Sequence, residues 1–231
     1  EWLAQIPADT DPLKIAIRRA GLLTQQGRKV EALKALEQVK VANPQEAKLK
    51  ALAVSQWHRE NKQIPAAFET LEKALVLLPA DTDLQSEMAM LCEKLGRYEQ
   101  MEGLLRGMMK AKPTDPHPYN ALGYSLADRK VRLSEARELI LKAVQLAPSD
   151  PFIQDSLGWL EYRVGNTAEA LRILEAAYKA RPDAEIAAHL GEVLWVSGQT
   201  DKASSIWREG LMLKADNETL VETLQRFNFK P

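Results

Sequence analysis

PFIQDSLGWLEYRVGNTAEALRILEAAYKARP, residues Pro151 to Pro182, reads as two helices with a tight turn at Gly165–Asn166 between them and a stop at Pro182. Small residues stand where two packed helices must touch, Gly158 in the first and Ala170 in the second. Ala177 keeps the next contact open, and Leu157 and Leu174 fill the space between. A single pair of this kind has an apolar face with nothing to cover it, so it can fold only against copies of itself.

Those copies are present. Prolines recur at Pro44, Pro79, Pro113, Pro148 and Pro182, spaced 35, 34, 35 and 34 residues apart. Proline lacks an N–H and clashes with the preceding turn, so each is expected to close a second helix. Gly27, Gly96, Gly165 and Gly198 fall between paired helices, where a left-handed residue ends a helix at little cost. Ala32, Ala67, Ala136, Ala170 and Ala203 follow at the predicted crossing of each pair. Leu36, Leu71, Leu105, Ile140 and Leu174 then continue the apolar side of the second helix.

Composition narrows the function classes. The chain of 231 residues carries a formal charge of -1 with no run of five like charges, which argues against a grip built on phosphate neutralisation and against a basic membrane patch. No apolar run is long enough to span a bilayer. A lone Cys92 excludes an internal disulfide. His58, His117 and His189 lie in three different repeats without paired ligand spacing, so neither a metal nor a cofactor is expected.

The 34-residue pattern resembles the tetratricopeptide repeat family, carried best by ALGY at Ala121–Tyr124, SLGW at Ser156–Trp159 and HLGE at His189–Glu192. The resemblance implies an all-α, right-handed superhelical solenoid of six repeats, 13–47, 48–81, 82–115, 116–150, 151–183 and 184–217. Residues 1–12 are expected to end a preceding, truncated repeat, and 218–231 to form a capping helix with Leu220, Leu224 and Phe227 on one side. Arg19, Met101 and Glu161 depart from the family pattern, standing where an apolar residue, the crossing Ala and a Tyr are usual.

In this family the fifth, ninth and twelfth residues of each repeat line a concave groove that takes peptides. Here that register concentrates large aromatics beside polar groups in the last three repeats: Asn120 and Tyr124, then Asp155, Trp159 and Tyr162, then Glu192 and Trp195. Aromatic anchors with a few placed polar groups suit a peptide-binding groove. Packing against neighbouring helices, or a C-terminal cap folded back over them, accounts for the same aromatics equally well, because pattern alone does not orient a side chain.

Other constellations are weaker. Ser156 and His189 occupy equivalent positions beside Asp155, but no nucleophile elbow or oxyanion hole accompanies them, and His189 is expected to hydrogen-bond across the repeat interface. Met88, Met101, Met108 and Met109 fall on packing positions, with Met90 alone in the predicted groove. Lys14 and Arg18 supply only half of a carboxylate clamp.

The succession YNALGYSLADR, DSLGWLEYRVGN and IAAHLGEVLWVSGQTDKASSIWREGL further resembles the C-terminal arrays of large Gram-negative tetratricopeptide proteins, many of them outer-membrane lipoproteins facing the periplasm. That branch implies an adaptor without enzymatic activity. Its partners would be proteins or peptides, a carboxyl-terminal processing protease and its cell-wall hydrolase substrates, with membrane attachment through a lipid site outside this chain. The alternative is an envelope-assembly platform for pilus, lipopolysaccharide or peptidoglycan machinery. An enzyme would need a catalytic domain beyond these repeats.

Overall fold

The computed structural model describes residues 11–230, which form thirteen α-helices and no strand. The expectation placed on residues 1–12 lies outside the described residues apart from Asp11 and Pro12, which open the first helix. The chain divides into two compact units, 11–108 and 109–230.

The first unit holds α1 (Pro12–Gln25), α2 (Lys29–Glu37), α3 (Pro44–Glu60), α4 (Ile64–Leu77), α5 (Thr82–Lys94) and most of α6 (Tyr98–Ala111). Helix α1 packs on α2 and α3 on α4, and each second helix also packs on the first helix of the next pair, α2 on α3 and α4 on α5. Ala16, Ala20, Leu23, Ala32, Leu36, Val54 and Trp57 form one continuous core across α1 to α3. The Trp57 indole donates to Thr24 Oγ1 at 2.9 Å, so its polar edge is satisfied within that core.

One helix boundary departs from the sequence expectation. Pro44 opens α3 instead of closing α2, which already ends at Glu37. The reason is local: Asn43 Oδ1 accepts from Glu46 N at 2.9 Å while the Glu46 carboxylate accepts from Ala42 N at 2.8 Å. This reciprocal cap satisfies two orphan amides and leaves Pro44 at the first helical position, where a missing N–H costs nothing.

The second unit contains α7 (Pro116–Asp128), α8 (Leu133–Leu146), α9 (Pro151–Arg163), α10 (Thr167–Ala180), α11 (Ala184–Val196), α12 (Thr200–Leu213) and α13 (Glu218–Arg226). Pairs form between α7 and α8, α9 and α10, α11 and α12, while the first helices stack in the order α7, α9, α11, α13. The crossing alanines Ala32, Ala67, Ala136, Ala170 and Ala203 are all fully buried, at 0% exposure. Opposite three of them sit Gly123, Gly158 and Gly191, the glycines of the Leu-Gly motifs. A Cβ at these positions would lie 2.6 Å from Ile140 Cγ1, 2.6 Å from Leu174 Cγ and 2.1 Å from Trp207 Nε1 respectively. Bare backbone is therefore what lets each pair close.

The turns between paired helices use the left-handed region, as at Gly165 with φ 95°. In two pairs a lysine takes that place, Lys62 at φ 60° and Lys130 at φ 54°. At the end of the chain α13 lays Leu220 and Leu224 over Ala184, Ala188 and Trp207.

Candidate functional site in the C-terminal unit

The first helices of the second unit are fixed at their starts by side-chain caps. Asp115 Oδ1 accepts from His117 N at 3.1 Å in α7, and Asp150 Oδ1 accepts from Phe152 N at 2.8 Å in α9. Asp183 Oδ1 accepts from Glu185 N at 2.8 Å in α11. These carboxylates satisfy orphan amides and complement the positive helix end. With the starts fixed, the stacked helices bring residues one repeat apart into contact.

Histidine 189 on α11 is the centre of the resulting cluster. Its Nδ1 lies 2.8 Å from Asp155 Oδ2 and 3.0 Å from Oδ1 on α9, and its Nε2 lies 3.1 Å from the Tyr124 hydroxyl on α7. The Trp159 ring stacks on the imidazole, centroids 4.3 Å apart and planes 24° from parallel. The Trp159 indole N–H donates to Asp128 Oδ1 at 3.0 Å, and Arg163 stands over the ring, 5.2 Å from its centroid. Arg163 also donates to the backbone carbonyls of Ala127 and Asp128 at the end of α7. Burial alone would disfavour the imidazolium, but the charge and hydrogen bond of Asp155, helped by Glu185 and Asp128, outweigh it and raise the His189 pKa above its ordinary value.

A second group lies beside the first. Glu192 is buried and receives Arg226 of α13, and it also hydrogen-bonds Tyr162 of α9. Burial and the neighbouring Glu192 charge push the Tyr162 phenol upward. Trp195 stacks on Trp207 with centroids 5.3 Å apart and is flanked by Phe227 at 6.1 Å and Phe229 at 6.3 Å.

Each residue expected to line a groove can now be placed. Asp155, Trp159 and Glu192 are buried, at 4%, 2% and 5% exposure, with their polar atoms already engaged. Tyr124, Tyr162 and Trp195 are half-buried against His189, Trp159 and the aromatic residues after α13. Asn120 is half-buried too, and its Oδ1 atom has no hydrogen-bond partner. Much of the aromatic area at these positions is thus taken by the protein's own rings, and the Tyr124 and Tyr162 hydroxyls are engaged by His189 and Glu192.

The arrangement does not assemble a hydrolase triad. The Ser156 hydroxyl donates to Phe152 O at 3.1 Å, within its own helix, while both nitrogens of His189 are occupied by Asp155 and Tyr124. Among the described residues no group of three His, Cys, Asp or Glu side chains could hold a metal. Surface concavities lie elsewhere among the described residues. One of about 320 Å³ lies between α10 and α12 over Leu190 and Leu194, and one of about 510 Å³ lies against α13 and the residues after it.

Three members of the network were missed in the sequence: Asp128, Arg163 and Arg226. Their signal was the repeat period itself, since Arg226 follows Glu192 by 34 residues and Arg163 follows Asp128 by 35.

The comparisons with known proteins agree with this geometry. Residues 156–207 match the family model of the tetratricopeptide repeat. The TPR repeat-containing protein PA4667 of Pseudomonas aeruginosa is 40% identical over 189 residues, 82% of this chain. The chain spans about a third of that relative, 32% of its length. Among solved structures, the thermophilic TPR protein TTC0263 of Thermus thermophilus superposes with a TM-score of 0.68 at 19% identity, covering 78% of this chain and 98% of that one. The Cut9–Hcn1 assembly of APC/C gives 0.65 at 15% identity, over 98% of this chain and 52% of that one. Residues 156–207 thus match the tetratricopeptide repeat, and the solved structures share the helix-pair fold.

Proposed function

We propose that this chain is a protein-binding scaffold that works by holding polypeptides together, and that in its intact protein it tethers a periplasmic processing protease to cell-wall hydrolase substrates. The observation that carries the scaffold reading is the run of stacked first helices whose side chains are locked by Asp155, His189, Glu192 and Arg226. A wall fixed in this way loses little conformational entropy when a partner settles on it.

The adaptor reading draws on the resemblance of the C-terminal repeats to Gram-negative lipoproteins and on likeness to a Pseudomonas aeruginosa repeat protein. On this reading the anchor and the rest of the array lie in sequence outside the chain, and the working compartment is the periplasm. Binding protease and substrate side by side raises the effective concentration of one at the other and needs no chemistry from the scaffold.

Size-exclusion chromatography of the intact protein with a carboxyl-terminal processing protease tests it. Co-elution as a complex is the expected result. If the two elute separately, while affinity capture from envelope extract recovers pilus, lipopolysaccharide or peptidoglycan assembly enzymes, the platform reading replaces the adaptor.

A further inference from the structure

We propose that the His189–Asp155 pair is a proton-operated lock joining α7, α9 and α11, engaged when the imidazole is charged and loosened when the proton leaves. The pair lies in the middle of three first helices and is sealed from water, with side-chain exposures of 2% for His189 and 5% for Asp155. Every edge of the ring is used. Nδ1 must carry a hydrogen, because the Asp155 carboxylate facing it can only accept. Nε2 faces an oxygen as well, the Tyr124 hydroxyl, which can accept from an imidazolium N–H. One face of the ring lies on Trp159, where a positive charge gains from the aromatic quadrupole.

The surrounding charges favour the cation. On α9 the groups are Asp155 and, over the Trp159 ring, Arg163; on α7 they are Tyr124 and, at its end, Asp128; on α11 itself Glu185 contributes. The elements packed on the other sides bring their charges elsewhere. Arg226 of α13 is taken by Glu192, and Glu209 of α12 accepts from Tyr178 of α10 at 3.1 Å. Arg208 of α12 sits over Phe229. The proton therefore has one carboxylate partner at contact, and the cation that shares Trp159 with it, Arg163, is held by the carbonyls of Ala127 and Asp128.

Loss of the proton changes the balance of the whole cluster. Asp155 is left as a buried anion whose partner is now neutral, and the stack on Trp159 loses its charge term. Because the folded pKa is raised above the ordinary histidine value of 6.5, the stabilisation is complete below about pH 6.5 and is lost as pH rises through the folded pKa. A periplasmic protein would meet such changes directly. The lock makes the rigidity of this wall, and not the fold as a whole, the quantity that responds.

The test is histidine-selective NMR with pH-dependent amide hydrogen exchange on the intact chain. In the wild type, the His189 ring resonances should titrate above pH 6.5, and Asp155→Asn should move that titration downward. Exchange protection of α7, α9 and α11, corrected for the intrinsic rate, should fall by about tenfold for each pK unit of elevation as pH passes through the transition. The α1–α4 amides should show no such step, and His189→Gln should abolish it in the second unit. A wild-type His189 that titrates at or below 6.5 overturns the proposal, a result that does not depend on any variant folding. So does a loss of protection that is equal in both units, or one that persists unchanged in His189→Gln.

Discussion

Histidine 189 and Trp159 show how a residue that suits a binding groove can instead become a structural one. Trp159 is 2% exposed, stacked on His189 and hydrogen-bonded to Asp128. Trp159→Ala should therefore destabilise the protein by about 3–5 kcal/mol in urea unfolding. Asn120→Ala should behave in the opposite way. It removes a buried Oδ1 atom that has no partner, so unfolding should stay within about 0.5 kcal/mol of wild type or shift to higher stability. The same urea titration reads both effects. The glycines allow a similar contrast. Gly191→Ala drives a Cβ to 2.1 Å from Trp207 Nε1, whereas Gly103→Ala meets nothing within 4 Å. The first should cost more than about 1–3 kcal/mol, and the second should stabilise by about 1 kcal/mol through helix propensity. Alternation of small and large residues made these crossings legible from the sequence. Burial of Trp159 was not, because residue type and register are the same for a ring facing a ligand and a ring facing the next repeat.

The elements are held in register by ion pairs that reach from one repeat to the next, and two of them give measurable expectations. Arg137 of α8 lies 2.5 Å from Glu161 of α9, and Asn166 donates to the other carboxylate oxygen at 2.6 Å. The Arg137 hydrogen bond holds the Glu161 pKa below its ordinary 4.5 against the opposing effect of burial. A depressed folded pKa means the contribution is present above about pH 4.5 and is lost as pH falls through the folded value. Glu161→Gln should flatten the acid limb of a stability–pH profile measured by chemical denaturation, leaving the alkaline limb unchanged. The second pair joins α13 to the wall. Arg226→Ala leaves the buried Glu192 carboxylate without its cation and should cost about 1–3 kcal/mol, much of it recovered in the Arg226→Ala, Glu192→Gln double variant. The helix pairs themselves were legible from proline, glycine and alanine spacing. The start of α3 was not, because an Asn-Pro step marks a helix beginning as readily as proline marks an end, and the Asn43–Glu46 cap decides between them.

On the proposed reading the whole molecule is a scaffold: helix pairs that cover one another, an inner network that fixes the C-terminal unit's wall, and chemistry left to the partners. The repeat class was readable because a 34-residue period cannot build one central core. The partner was not, because scaffolds of one fold bind unrelated polypeptides and the choice rests on a few exposed side chains. The most direct measurement is the rate at which a carboxyl-terminal processing protease cleaves a cell-wall hydrolase, with and without the intact repeat protein. A saturable acceleration is expected, with no cleavage of the hydrolase by the repeat protein alone. An unchanged rate at every concentration, or cleavage in the absence of the protease, would contradict it.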